Sequence, residues 1–204
     1  MTPTKNTMTV GIILTVLGIS LTIMGIVFLT KHSDKIVETF ETIQQENEVA
    51  KTEKQKGDDF EKYIVQKFSK SYFSIVEWTG DKYIEGMYAR SNTNPDLRLN
   101  FKMKGIDLDF AVECKYRSNY YKEGIEWCSE QQLQNYKNFA INKEIVVFVA
   151  IGTGGLPTAP EELFIIPLTE LMSNFVDKSF LNKYKKEKIK DSNLFYDYQT
   201  GRLK

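Results

Sequence analysis

An uncharged run of 23 apolar and small residues, residues 8–30, constrains this 204-residue chain more than any other feature. As an α-helix that rises 1.5 Å per residue, it would be roughly 35 Å long and would cross the hydrocarbon core of a bilayer. A cleaved signal peptide is the alternative, but its apolar core would be shorter and no small-residue cleavage site follows. No face of the run is polar, which disfavours a buried core helix. We therefore expect a single-pass membrane anchor.

Small residues recur along one face of this predicted membrane helix. Gly11, Thr15, Gly18, Thr22 and Gly25 follow each other at alternating spacings of four and three. Small side chains allow a partner helix to approach closely, so the stripe predicts a homodimer that pairs through Gly11, Gly18 and Gly25. Glycine and threonine are also common in membrane helices that do not pair, and this alternative stays open.

The remaining chain divides into a polar segment and one domain. Residues 31–56 are charged and rich in Glu, Lys and Gln, which predicts a helical stalk or a flexible linker. Residues 57–204 have the usual size of a single domain. They carry 21 Lys and Arg against 21 Asp and Glu. Because this domain is neutral, any contact with a polyanion must come from local patches of positive charge.

Helical and strand patterns alternate through the domain. A stripe of apolar residues at helical spacing covers residues 57–68, and a second helix should begin at Ser129. An uninterrupted apolar run at 144–151 is typical of a strand that is buried on both faces. Further strands are predicted at 72–78, 96–101, 109–116 and 163–168, a helix at 169–190 and a last strand near 195–196. This order predicts an α/β domain with a mixed central sheet flanked by helices.

The sequence Glu113-Cys114-Lys115 carries the most specific chemistry. In a strand, residues two apart share a face, so Glu113 and Lys115 should point together while Cys114 points into the core. Asp96 begins the preceding predicted strand, 17 residues earlier. A chain this rich in charge should contain about one Asp/Glu-x-Lys triplet by chance, so the context of the triplet decides its meaning.

Asp96, Glu113 and Lys115 in consecutive strands resemble the PD-(D/E)xK nuclease superfamily, which has a restriction endonuclease-like fold. Glu61 lies in a helix ahead of the sheet, where this superfamily often carries an additional acid. Gln132 and the tyrosine four residues later match the Q-x-x-x-Y helix of its recombination-type branches. The resemblance covers roughly residues 57–168 and leaves out the predicted anchor and stalk.

The resemblance implies a metal-dependent endonuclease that hydrolyses phosphodiester bonds in DNA, with RNA as an alternative substrate. Asp96, Glu113 and Glu61 would bind Mg²⁺, with Mn²⁺ as a possible substitute, because hard cations prefer oxygen ligands. Asp96, Glu113, Lys115 and Gln132 would be catalytic, with Lys115 orienting or deprotonating the attacking water. A DNA-cutting domain is expected on the cytoplasmic side of the cell membrane, a direction that the nearly balanced flanking charges do not decide.

Each of these residues also has a structural interpretation. Glu113 and Lys115 could be a solvated ion pair, and Asp96 could cap a turn. Glu61 could be an acid in the first turn of its helix, where the helix dipole favours negative charge. Gln132 forms a predicted capping box with Ser129. At the level of the whole protein, the alternative is a catalytically inactive, membrane-tethered nucleic-acid-binding or scaffold protein of the same fold. The neutral charge of the domain is what keeps this alternative open.

Overall fold

The computed structural model describes residues 52–79, 83–84, 87–88, 93–189 and 193–204. The described residues belong to the second of the two units into which the chain divides, residues 51–204. The predicted membrane helix at 8–30, its glycine stripe and nearly all of the predicted stalk lie outside the described residues. Among the described helices, none is both long enough and apolar enough to cross a bilayer.

Three α-helices and eleven strands make up the described part of the second unit. The helices are α1 (Glu53–Gln66), α2 (Glu130–Lys143) and α3 (Lys178–Asn182), with a 3₁₀ turn at Leu168–Glu170. The strands are β1 (Phe73–Trp78), β2 (Tyr83–Ile84), β3 (Met87–Tyr88), β4 (Leu97–Met103), β5 (Ile106–Arg117), β6 (Gly124–Glu126), β7 (Val146–Thr153), β8 (Glu162–Pro167), β9 (Phe175–Asp177), β10 (Tyr196–Asp197) and β11 (Arg202–Leu203).

The five longest strands form a mixed sheet in the order β1-β4-β5-β7-β8. β4 and β5 form a hairpin, and the turn at Lys104 and Gly105 takes positive φ at both positions, which suits the twist of the flanking strands. β7 runs parallel to β5 after α2, while β8 returns antiparallel to β7. The predicted mixed sheet flanked by helices is therefore confirmed.

α1 covers one face of the sheet and begins earlier than its apolar stripe predicts. Thr52 and Gln55 form a capping box, so the helix starts at Glu53 instead of near residue 57. Phe60 and Ile64 are fully buried against the sheet. The Phe60 ring lies so close to Gly152 that a Cβ there would come within 2.4 Å of it. Glycine on β7 thus allows α1 to approach the sheet closely.

α2 covers the opposite face. Ser129 and Gln132 cap its start, as predicted, and Leu133, Tyr136 and Phe139 are its buried residues. They pack with Trp127 and the apolar residues of β7 and β8 that face this side, whereas the other core contains α1 and the β10–β11 hairpin. The sheet is therefore enclosed between two separate cores, which places the faces of β5 in different environments.

The predicted helix at 169–190 is wrong. Val176 pairs with Ile125 in the two-stranded β6–β9 sheet, and Asp177 then caps only the short α3. The lysine-rich segment after α3 follows the edge of β8, where the amide of Lys186 donates to the carbonyl of Leu163 at 2.7 Å. Pairing with elements distant in sequence, which local periodicity does not report, overrides helix formation here.

Candidate active site

The sequence-predicted residues line one open cleft of about 370 Å³. The cleft lies where α1, the start of β4, the end of β5 and the start of α2 meet. Its acidic lining residues are Glu53, Asp58, Glu61, Asp96 and Glu113; its basic ones are Lys54, Lys115 and Arg117; the others are Gly57, Thr79, Asn94, Cys114, Tyr116, Gln132 and Tyr136. The structure therefore brings together Glu61, Asp96, Glu113, Lys115 and Gln132, as the sequence motifs predict.

Asp96 and Glu113 are joined by two side-chain-to-backbone hydrogen bonds. Asp96 Oδ2 accepts from the amide of Cys114 at 2.7 Å, and Glu113 Oε2 accepts from the amide of Asp96 at 3.3 Å. Each carboxylate therefore holds the backbone beside the other. This arrangement fixes both acids at the point where β4 begins beside β5.

The other oxygen of Glu113 binds two groups. Glu113 Oε1 lies 2.5 Å from Lys115 Nζ, and the Tyr136 hydroxyl donates to the same oxygen at 2.6 Å. Only 1% of Glu113 is exposed, so this carboxylate is buried among its partners. Since buried charges need such partners, Lys115 and Tyr136 both stabilise Glu113 in place.

Glu61 contributes a third acid from α1. Trp78 Nε1, at the end of β1, donates to Glu61 Oε2 at 2.9 Å. Burial, together with the charges of Asp58 and Glu113, raises the pKa of Glu61 despite this hydrogen bond. The indole of Trp78 thus orients an acid whose ionised form its surroundings disfavour.

Asp96 lies in a region of the cleft that disfavours its charge. Burial raises the pKa of Asp96 well above its ordinary value, and the charges of Glu113 and Glu61 raise it further. Lys115 and the Cys114 amide oppose this effect without cancelling it. An additional cation close to these acids would relieve the conflict.

Lys115 remains an ammonium ion at neutral pH. Burial by itself would lower the pKa of Lys115, but the carboxylates of Glu113 and Asp96 outweigh burial and raise it. In the metal-free site, the Lys115 ammonium is therefore placed to orient water with its charge.

The cleft fits a hard divalent cation by charge and donor type. Glu61, Asp96 and Glu113 supply carboxylate oxygens, the ligands that Mg²⁺ prefers, and their mutual repulsion would be offset by a cation. Within the part of the chain that the structure describes, however, no three His, Cys, Asp or Glu side chains converge as a ready coordination shell. Mg²⁺ commonly keeps several of its waters and needs few protein ligands, so the two observations are compatible.

Gln132 both caps α2 and lines the cleft. The side-chain Oε1 of Gln132 accepts from the backbone amide of Ser129 at 3.0 Å. The Ser129 hydroxyl accepts from the backbone amide of Gln132 at 3.2 Å, which completes the capping box. Gln132 nevertheless lines the cleft. Its side-chain oxygen is committed to the cap, which leaves its NH₂ group for any contact inside the cleft.

Trp78, which contacts a residue of the cleft, and Arg117, which lines it, did not enter the predicted site. Trp78, which orients Glu61, is joined to it by a long-range contact that no local pattern indicates. The period-two alternation of β5 does indicate Arg117, because it lies two positions after Lys115 and so shares the face of Glu113 and Lys115.

Comparison with known proteins adds a structural likeness. No protein-family model matches the sequence, and no curated protein matches it either. Among solved structures, the chain is similar to Archaeoglobus fulgidus Hjc, a Holliday junction resolvase from an archaeal hyperthermophile. The sequence identity is 18% and the TM-score is 0.44, with 62% of this chain and 93% of that chain covered.

Proposed function

We propose that this protein is a metal-dependent endonuclease that hydrolyses phosphodiester bonds in DNA. The observation that carries the proposal is the placement of Asp96, Glu113 and Lys115 in one open cleft, with Asp96 desolvated and crowded by like charge. A structural ion pair would need only Glu113 and Lys115. A second and a third acid beside them, both partly buried, raise the energy of the folded protein and are better explained by a site for a cation and a phosphate.

For phosphodiester hydrolysis, such a site must orient a water molecule for attack and stabilise negative charge on the phosphate. A water oxygen forms a bond to phosphorus while one ester P–O bond breaks, and the departing oxygen ends with a proton. The phosphate gains negative charge on its non-bridging oxygens as this happens. The Lys115 ammonium, held 2.5 Å from Glu113 Oε1, would stabilise that charge and orient the water.

The acids would have a separate role from Lys115. Asp96, Glu113 and Glu61 would hold Mg²⁺ or Mn²⁺, which supplies Lewis-acid polarisation of the phosphate. Tyr136, by donating to Glu113 Oε1, would position that carboxylate and not touch substrate. Gln132 would contact substrate through its side-chain NH₂ group while its oxygen caps α2.

A cleavage assay with a matched control tests this proposal. The full-length chain in detergent is incubated with plasmid and single-stranded DNA, and with RNA in parallel, in Mg²⁺, Mn²⁺ or EDTA. Lys115→Ala should abolish metal-dependent cutting. Lys185→Ala is the control, because Lys185 also forms a short ion pair with a glutamate, Glu162, outside the cleft; it should cut normally. Absence of cutting on all substrates, with no Mg²⁺ binding by calorimetry, would overturn the proposal.

A protein of the same fold that binds nucleic acid without cutting is the second candidate function. The equal numbers of acidic and basic residues in 57–204 favour it, because an enzyme that must hold DNA often carries excess positive charge. The same assay separates the two: DNA binding that is unaffected by Lys115→Ala, with no cleavage in any metal, would identify the non-cutting protein.

We also propose that residues 8–30 anchor this domain to the cell membrane with the domain in the cytoplasm. The length and lack of charge of this run support the anchor, and the need to reach DNA supports the orientation. The protein should stay with membranes during alkaline extraction, and a reporter fused after Lys204 should be active in the cytoplasm. A reporter active only outside the cytoplasm would disprove the orientation.

A further inference from the structure

The Arg117 side chain is held by carbonyl groups and not by acids. Arg117 Nε donates to the carbonyl of Glu126 at 3.1 Å, Nη1 to that of Tyr116 at 2.9 Å and Nη2 to that of Trp127 at 3.0 Å. Across the described residues, no carboxylate forms an ion pair with this guanidinium. Its full positive charge is therefore oriented by dipoles and is not neutralised.

The three contacts leave part of the guanidinium unused. Arginine carries five N–H groups, one on Nε and two on each terminal nitrogen. Three are donated to carbonyls, so one N–H remains on Nη1 and one on Nη2. Two N–H groups in a fixed plane match two oxygens of one phosphate, which is why arginine is favoured where phosphates are recognised.

Arg117 lies beside the proposed catalytic groups, where its two remaining N–H groups would be near the substrate. Glu113, Lys115 and Arg117 follow one another at every second residue of β5 and share a face of the strand. Arg117 lines the same cleft, at the end of the strand where β5 leaves the sheet. A nucleic-acid strand with one phosphate beside Lys115 would bring a neighbouring phosphate towards Arg117, because successive phosphates of one strand are about 3.4 Å apart along the helix axis of a duplex.

We propose that Arg117 is a substrate-binding residue that contacts a backbone phosphate of the nucleic acid next to the one that is cleaved. This inference rests on the proposed function. The carbonyl clamp holds the guanidinium before substrate arrives, so little side-chain entropy is lost on binding. The contact is independent of base sequence and supplies a local positive charge that the neutral composition of the domain does not predict.

The salt dependence of DNA binding distinguishes this role from a purely structural one. Binding of a fluorescent DNA duplex by the full-length chain in detergent is measured in EDTA, so that no metal-dependent cutting occurs. One phosphate contact contributes about 0.9 to the slope of log K against log salt concentration. Arg117→Gln should therefore flatten the slope by about 0.9, so that the ratio of parental to variant affinity falls about 3.5-fold between about 50 and 200 mM salt.

Two further variants complete the experiment. Arg117→Lys keeps the charge but has a single nitrogen in place of the three that contact carbonyls, so it should lower the melting temperature and retain most of the parental slope. Lys102→Gln removes one charge at the far, hairpin end of β4, where Lys102 pairs with Asp107, and should leave the slope unchanged. If Arg117 only braces the end of β5, Gln and Lys will destabilise the protein alike and neither will change the slope.

The outcomes also separate this inference from the proposed function. A parental protein that binds and cuts DNA, with an unchanged slope in Arg117→Gln, overturns the role of Arg117 alone. A parental protein that neither binds nor cuts overturns both. If Arg117→Gln does not fold, as judged by circular dichroism, the slope of Arg117→Lys decides: a slope reduced by about 0.9 despite the retained charge contradicts a phosphate contact.

Discussion

Asp96 and Glu113 each accept a hydrogen bond from backbone next to the other: Asp96 from the amide of Cys114 at 2.7 Å, and Glu113 from the amide of Asp96 at 3.3 Å. The two acids are thereby fixed near each other although their charges repel. Hydrogen bonds supplied by the strands oppose the repulsion, and the pKa of Asp96 remains raised, chiefly because of burial. A site built in this way is held ready for a cation at a cost to the stability of the fold.

Asp96→Asn should stabilise the metal-free protein. Asparagine retains an oxygen for the Cys114 amide but removes a charge that burial, Glu113 and Glu61 disfavour. We expect the free energy of unfolding to rise by about 1 kcal/mol at neutral pH, the usual scale for relieving strain at a functional site. Urea unfolding with and without Mg²⁺ measures this, and the variant should also lose any stabilisation by Mg²⁺.

The advantage of Asp96→Asn should depend on pH with a defined sign. Because the pKa of Asp96 is raised in the folded state, the folded protein binds this proton more tightly than the unfolded chain. Ionisation of Asp96 therefore costs stability in full above its folded pKa; the cost declines as the pH falls below that pKa and is gone below the ordinary aspartate value of about 3.9. The variant should gain most at neutral pH and less on acidification; an advantage that grows with acid would contradict this explanation.

Tyr136→Phe should impair cutting more than folding. The change removes the hydroxyl that donates to Glu113 Oε1 at 2.6 Å and leaves the ring in the core. Loss of one such bond should cost about 1 kcal/mol of stability, while removal of a group that positions a metal ligand commonly lowers activity about tenfold or more. Cleavage rates and Mg²⁺ affinity measure the effect.

Tyr120→Phe is the matched control for that experiment. The Tyr120 hydroxyl also donates to a glutamate, Glu162, at the edge of the sheet and outside the cleft. This variant should lose similar stability and cut at the parental rate. Equal losses of activity in both variants would show that Tyr136 acts through general stability only.

Variants of the capping box should separate the two roles of Gln132. Ser129→Ala removes the cap but leaves the Gln132 side chain, whereas Gln132→Glu preserves the cap and replaces the NH₂ group in the cleft. Ser129→Ala should cost about 1 kcal/mol of stability and keep cleavage. Gln132→Glu should keep stability and lose cleavage. The opposite pattern would assign Gln132 to the cap alone.

Asp109 should contribute stability that is lost in acid. The hydrogen bond from Asn100 lowers the pKa of Asp109, and the bonds and charge of Arg98 lower it further. A lowered pKa means that the contribution is present above the ordinary aspartate value of about 3.9 and disappears as the pH falls through the folded pKa. Asp109→Asn should lose about 1 kcal/mol or less at neutral pH, and the difference from the parent should vanish in acid unfolding experiments.

Local patterns were sufficient for much of the fold. The period-two alternation of β4 and β5 placed Glu113 and Lys115 on one face and Cys114 in the core, and the hairpin between the strands followed from the turn residues. The cap of α2 was readable from Ser129 and Gln132 because the interacting residues are three apart. Such features depend on neighbours in sequence, so composition and spacing report them directly.

The tertiary structure alone decided which of these residues meet. The Trp78 bond to Glu61, the Tyr136 bond to Glu113 and the carbonyl clamp on Arg117 join residues on separate elements, and no local period encodes them. The same reason explains why residues 169–190 do not form the expected helix, since their backbone pairs with β6 and β8. Sequence by itself determined the acids, the lysine and the faces that carry them; long-range packing set their desolvation and hence their charge states, because burial depends on what the rest of the chain places around each group.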